Sequence, residues 1–242
     1  MSWPARLPWI PPGAPPDAFP DPRTALRRPN GLLAAGGDLE PARLLEAYRR
    51  GIFPWFGADE PILWWSPDPR AVILPDRLHI PRRLARRLRS GHFSASVDQA
   101  FPEVIRQCAE TRRESGTWLT PEMIAAYTRL HQQGVAHSVE SWLDGRLAGG
   151  VYGLAIGGLF FGESMVSLLP DGSKVALVML AALARELGIG LIDCQVPNPH
   201  LQRLGATLMP RDEFLQRVGQ AVQQPPLQRL QPRPAQPLPL HP

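Results

Sequence analysis

The chain has 242 residues, 44% of them apolar, with a formal net charge of +4 and two cysteines. That length holds one large domain or two modest ones. Apolar runs such as 175–184 fall short of the ~18 residues a membrane span needs, and the Pro- and Trp-rich start lacks the apolar core of a secretory signal. Cys108 and Cys194 match no redox or metal spacing. His131 and His137 do not sit at a helical ligand spacing, so a zinc site is not expected, and no cofactor is expected either. Cytoplasmic thiols are the plain reading.

In chain order, residues 1–17 read as an extended Pro-rich tail. Residues 31–39 read as a loop leading into a helix over 41–50, followed by aromatic loops and a strand at 71–74. We assign 18–78 to a small N-terminal α+β domain and 79–222 to a catalytic domain. The latter opens with a basic helix over 81–90, a strand over 93–97 and a helix over 99–108. A helix over 121–133 follows, with Thr120 as N-cap and Pro121 in its first turn. Three strands come next, at 136–143, 147–156 and 159–165, joined by Asp144-Gly145 and Gly157-Gly158, which are strong hairpin signals. A helix over 174–187, a strand over 191–196, a short helix over 199–204 and a last helix over 211–222 complete it. Residues 223–242 are Pro, Gln, Leu and Arg without period and read as a disordered tail. The expected class is therefore α+β, with a mixed sheet flanked by helices. Its element order is that of the acyl-CoA N-acetyltransferase folds, a likeness of fold that says little about chemistry.

Three constellations could carry function. Arg82, Arg83, Arg86, Arg87 and Arg89 project over one side of their helix, while Ile80, Leu84 and Leu88 form the packing stripe. No acids interleave at i+4 to pair these guanidinium groups. An unpaired basic face suits a phosphate backbone; the alternative is a solvated surface helix. Trp55 and Trp118 sit in Gly- or Pro-bounded loops, where a flat ring can stack a nucleobase; core packing is the alternative. Of Trp64 and Trp65, one is expected in the core.

The third constellation is polar. Period two puts Phe161, Glu163 and Met165 on one strand face and Leu191, Asp193 and Gln195 on another. If these strands are neighbours, two acids and an amide converge beside an apolar floor. Such a set suits binding an ammonium and taking its proton, or a structural hydrogen-bond network. Lys174 is the only lysine beside twenty-five arginines, so it reads either as chance or as a residue needed as Lys. A CoA-dependent N-acetyltransferase would need a Gly-rich phosphate cradle, and Pro170-Asp171-Gly172-Ser173 is a poor one. A non-enzymatic RNA-binding protein would leave Glu163, Asp193 and Gln195 without a role.

At these residues the chain resembles the leucyl/phenylalanyl-tRNA–protein transferases. The resemblance runs from about residue 19 to 215. It is carried by Pro29-Asn30-Gly31-Leu32-Leu33-Ala34, Gly36-Gly37-Asp38-Leu39, Tyr48-Arg49-Arg50-Gly51-Ile52-Phe53-Pro54-Trp55, Trp64-Trp65-Ser66-Pro67-Asp68-Pro69-Arg70, Gly162-Glu163-Ser164-Met165 and Leu191-Ile192-Asp193-Cys194-Gln195. It implies a metal-free, monomeric enzyme of the bacterial cytoplasm. Such an enzyme moves Leu, Phe or Met from aminoacyl-tRNA to the α-amine of proteins beginning with Arg or Lys, marking them for degradation. By the same resemblance, Gln195 contacts the acceptor amine, Asp193 orients and polarises Gln195, and Glu163 holds a cationic group. Val151, Met165, Leu177, Leu180 and Ile192 match the side-chain pocket. Tyr48, Trp55, Trp118 and Tyr127 match the site of the terminal adenosine, and the Arg helix meets tRNA phosphates. Ile192 conflicts with the alternation argument, which turns it away from Asp193. Lys174 or a backbone N–H is a candidate oxyanion donor.

Overall fold

The computed structural model describes residues 7–111, 118–224 and 230–237. Its first part is a four-stranded sheet. The strands are β1 (Trp9–Ile10), β2 (Leu32–Gly36), β3 (Phe53–Pro54) and β4 (Leu63–Trp65), in the order β1-β2-β4-β3, with helix α1 (Pro41–Arg49) between β2 and β3. The expected loop at 31–39 is thus largely a strand, and a buried one.

The 1–17 tail also differs from expectation. Trp9 and Ile10 pair in parallel with Ala35 and Gly36, and Ile10 is buried. Arg43, itself 2% exposed, donates to the carbonyls of Ala14 and Pro15 at 2.6 and 3.0 Å. A proline-rich backbone cannot supply its own ladder donors; here neighbouring groups satisfy its carbonyls, and that is what docks it.

The remaining elements follow in order. Strand β5 (Arg70–Ile73), α2 (Arg82–Leu88), β6 (Phe93–Val97), α3 (Phe101–Glu110) and α4 (Pro121–Gln132) lead to the meander β7 (Ala136–Leu143), β8 (Arg146–Ile156) and β9 (Leu159–Ser167). Then come α5 (Gly172–Glu186), β10 (Leu191–Gln195), α6 (Pro199–Gln202), β11 (Thr207–Met209), α7 (Arg211–Ala221) and β12 (Arg233–Pro237). Thr120 caps α4 through its hydroxyl, which accepts from the Met123 N–H.

The eight strands of the larger sheet run β11-β5-β10-β9-β8-β7-β6-β12. Strand β10 is parallel to β9 and antiparallel to β5, so the sheet is mixed. Helices cover both faces: α5 packs on one with Val151, Phe160 and Ile192, and α3 and α4 on the other with Tyr152 and Phe161. This is the α+β arrangement expected, a mixed sheet flanked by helices.

Strand β5 is hydrogen-bonded into the larger sheet, although it precedes the boundary drawn at 78. One apolar cluster runs from Leu33 and Trp64 of the small sheet through α1 to Tyr152 and Phe161 of the large one. Strand β12 corrects the expectation for 223–242: it pairs with β6, Leu230 is buried, and Arg233 bridges to Glu186 at 3.0 Å. Residues 1–6, 225–229 and 238–242 of the two tails lie outside the described residues.

Candidate active site

Two β-bulges make the site. In the β8–β9 ladder Tyr152 pairs with Ser164 and Gly153 with Gly162, which leaves Glu163 as the extra residue. In the β10–β5 ladder Asp193 pairs with Val72 and Gln195 with Ala71, which leaves Cys194 extra. A bulge re-aims side chains and ends the strict alternation. The expected face of Phe161, Glu163 and Met165 is therefore broken. Phe161 packs towards Tyr48, whereas Met165 joins Val151 and Phe160 on the opposite side. Gln195 sits in the left-handed region at φ 62, a strained conformation for a residue with a Cβ and a mark of functional sites.

The polar groups form one chain. Arg70 holds Asp193 with two bonds, Nε to Oδ1 at 2.8 Å and Nη2 to Oδ2 at 2.7 Å, and both side chains are 0% exposed. The guanidinium lies between the rings of Phe53 and Phe214, at 4.7 and 4.6 Å from their centroids. Asp193 Oδ1 accepts the Gln195 backbone N–H at 2.9 Å. The Gln195 Nε2 donates to Glu163 Oε1 at 2.8 Å. Glu163 Oε2 accepts the Tyr127 hydroxyl at 2.7 Å, and the hydroxyls of Tyr127 and Tyr48 lie 2.5 Å apart. Burial lifts the Glu163 carboxyl to about 7, against the opposing pull of the tyrosine hydroxyls. Burial and Glu163 raise both tyrosines, which remain phenols.

The two acids are therefore not equivalent: Asp193 is already paired with Arg70, whereas Glu163 bonds an amide and a phenol. The link of Asp193 to Gln195 runs through the backbone N–H, not the side-chain amide. Tyr48 and Tyr127 are fully buried behind Glu163 and do not line the cavity, so they cannot embrace an adenosine there.

The cavity itself measures about 1780 Å³ and opens between the two sheets. One wall is Val151, Met165, Leu177, Leu180 and Ile192, all from the same apolar cluster. Ile192 faces this wall while Asp193 points to Arg70, so the alternation conflict disappears: Asp193 reaches Gln195 from the other side of the strand. The opposite rim carries Trp55, 42% exposed, and Trp118. The Trp55 ring lies 5.6 Å from that of Trp65, while Trp64 is the buried member of its pair. Glu163, Asp193 and Gln195 line the same cavity. Cys194 also lines it, but burial and Asp193 hold its thiol well above the ordinary range, so it is no thiolate nucleophile.

Helix α2 stands apart from this cavity. Leu84 and Leu88 are its buried residues, and Ile80 is exposed, contrary to the packing stripe expected. Arg87 pairs with Asp171 at 3.5 Å and lies over the Phe93 ring at 5.4 Å, and the charge of Arg83 also acts on Asp171. Lys174 bonds Asp171 at 2.7 Å and is not among the residues that line the cavity.

Two signals escaped the sequence reading. Arg70 sits in a Pro-Asp-Pro-Arg segment whose place beside β10 depends on a contact 123 residues away. The bulge at Glu163 leaves a trace only as Gly153, whose Cβ, were there one, would meet the Phe161 carbonyl at 2.1 Å.

An apolar wall and an amide–carboxylate pair thus share one cavity beside a mixed sheet flanked by helices. Residues 72–219 match the family model described as leucyl/phenylalanyl-tRNA protein transferase, and 37–68 match the model for its N-terminal domain. The chain belongs to this family of aminoacyltransferases. It is 58% identical over 212 residues to the leucyl/phenylalanyl-tRNA–protein transferase of Anaeromyxobacter sp. (strain K), covering 87% of this chain and 90% of the relative. For the Nitrosomonas eutropha relative the figures are 54% over 208 residues, 86% and 89%. For that of Chromohalobacter salexigens they are 57% over 220 residues, 90% and 85%. Among solved structures, the chain is similar to L-PGS from Bacillus licheniformis, with TM-score 0.40, 14% identity and coverage of 69% of this chain and 56% of that one.

Proposed function

We propose that this enzyme moves Leu, Phe and, less well, Met from aminoacyl-tRNA to the N-terminal α-amine of proteins beginning with Arg or Lys, working as a single chain in the bacterial cytoplasm. The product enters N-degron degradation. The observation that carries this reading is the shared cavity, in which the Val151–Leu177–Leu180–Ile192 wall and the Gln195–Glu163 pair lie side by side.

The reaction is ester aminolysis. The ester is already activated, so holding amine and carbonyl together supplies most of the acceleration. The apolar wall takes the donor side chain and rejects charged ones, because a charge there would be buried without a partner. Trp55 and Trp118 flank the terminal adenosine across the rim. Arg82, Arg83, Arg86 and Arg89, with Arg87 at the Asp171 end, offer phosphate contacts beyond the cavity. Since Gln195 Nε2 is committed to Glu163, its carbonyl oxygen is the atom left to accept an N–H of the incoming amine.

Val151 and Leu180 are modest in size, so a phenyl ring fits the wall. Transfer of radiolabelled amino acid from Phe-tRNA and Leu-tRNA to peptides beginning with Arg, Lys or Glu tests the reading. Phe transfer at least as fast as Leu is expected, with Arg and Lys accepted and Glu refused. A Leu rate well above that of Phe, or acceptance of Glu, contradicts it.

A further inference from the structure

An α-amine arrives as an ammonium at neutral pH and cannot attack until it loses a proton. Of the cavity's polar lining, three groups gather at the two bulges as candidates for that proton, whereas Asp59 and Glu60 stand between β3 and β4 and His200 stands on α6. Gln195 is an amide and has no basicity of use. Asp193 is held by both oxygens against Arg70, fully buried, with Oδ1 also taken by the Gln195 N–H. Its carboxylate is thus committed to the guanidinium, and breaking that buried pair is strongly unfavourable. Glu163 remains, 7% exposed, lining the cavity and 2.8 Å from the Gln195 amide.

Resting on the transfer reading above, we propose that Glu163 takes the proton from the acceptor's α-ammonium, with Gln195 holding the amine and Tyr127 and Tyr48 positioning the carboxylate. The groups facing it are Tyr127 from α4, Tyr48 from α1, Asp193 and Gln195 from β10 and Arg70 from β5, with Tyr152 from β8 beside the two tyrosines. Burial brings this carboxyl to about 7, where a general base works best near neutral pH.

The step balances. Carboxylate and ammonium become carboxylic acid and amine. The nitrogen lone pair then forms the N–C bond to the ester carbonyl, and the C–O bond to the terminal ribose breaks. The second proton shed by the nitrogen goes to the departing ribose oxygen, giving amide and alcohol. Glu163 returns its proton to solvent before the next turnover.

The test is the pH dependence of single-turnover transfer by the parent and Glu163→Gln, with background ester hydrolysis subtracted. A free α-amine titrates near pH 7.7–8.0. Glu163→Gln is expected to be most impaired near pH 6.5 and to recover at least ~10-fold relative to the parent near pH 8.5, where the amine deprotonates without help. The KM for the peptide stays within about twofold, because the base acts on the bound amine. Tyr127→Phe removes a hydrogen bond that favours the charged carboxylate, so the lower inflection of its profile moves to higher pH. A deficit in Glu163→Gln that is the same at every pH, or one confined to the peptide KM, overturns the proposal and leaves Glu163 as a holder of cations. An unmoved inflection in Tyr127→Phe also counts against it. A parent that transfers nothing at any pH removes the transfer reading itself, which sets that failure apart from the loss of the base.

Discussion

Replacing Arg70 by Met is expected to lower the free energy of unfolding by about 3–5 kcal/mol, because Asp193 is left charged and buried without its partner. Transfer is lost with it, since Asp193 no longer holds the Gln195 backbone in its left-handed bulge. Denaturant unfolding checks the first part. The double replacement Arg70→Met with Asp193→Leu removes both charges and is expected to regain much of the stability without regaining transfer. That pattern separates the positioning of Gln195 from the integrity of the fold. An Arg70→Met variant within about 0.5 kcal/mol of the parent contradicts the assignment of this pair.

Gly153→Val tests the bulge on the other strand. A Cβ at this position meets the Phe161 carbonyl at 2.1 Å and the Phe160 ring at 2.7 Å. Neither can withdraw without moving β9, so a cost of about 1–3 kcal/mol is expected. The displaced segment includes Glu163, and transfer is expected to fall more than ~10-fold, since misplacement by about 1 Å is costly to positioned catalysis. Binding of tRNA should hold. Gly219→Ala on α7, where nothing lies within 4 Å of the added carbon, is the control: Ala favours a helix over Gly, so stability should not fall and transfer should be unchanged. Retained activity in Gly153→Val means that the bulge does not set the position of Glu163.

The parts of this fold that the sequence announced are those stabilised locally. The meander declared itself through Asp144-Gly145 and Gly157-Gly158, and both turns stand where expected. The Thr120 cap is satisfied by its own helix. The parts that stayed hidden depend on distant partners. Strands β1 and β3 are two residues each and β11 is three, too short to show a period. The docking of β1 relies on Arg43 and Gly37, whose N–H reaches the Ile10 carbonyl, and that of β12 on β6.

The candidate site divides in the same way. Its acids and amide were legible because polar residues interrupt strand-like runs, and its apolar wall through the family resemblance. Their orientation was not, because strict alternation fails at each bulge. Tyr48 and Tyr127 were grouped with the tryptophans as aromatics. Their burial, together with the hydroxyl chain to Glu163, ties them to the carboxylate instead. Arg70, which holds Asp193 through two hydrogen bonds, lies on a strand that joins the sheet through β10 and β11.

The central claim is that an amide set by a bulge presents the acceptor amine to an aminoacyl ester. It is tested most directly by transfer of radiolabelled Phe from Phe-tRNA to a peptide beginning with Arg, using the parent and Gln195→Ala, with tRNA affinity measured on the same preparations. The parent should transfer, and Gln195→Ala should lose about 100-fold or more, a loss of the size expected when a reacting group is no longer held in place, at unchanged tRNA affinity. Undiminished transfer by Gln195→Ala, or none by a folded parent from Phe-, Leu- or Met-tRNA, contradicts it.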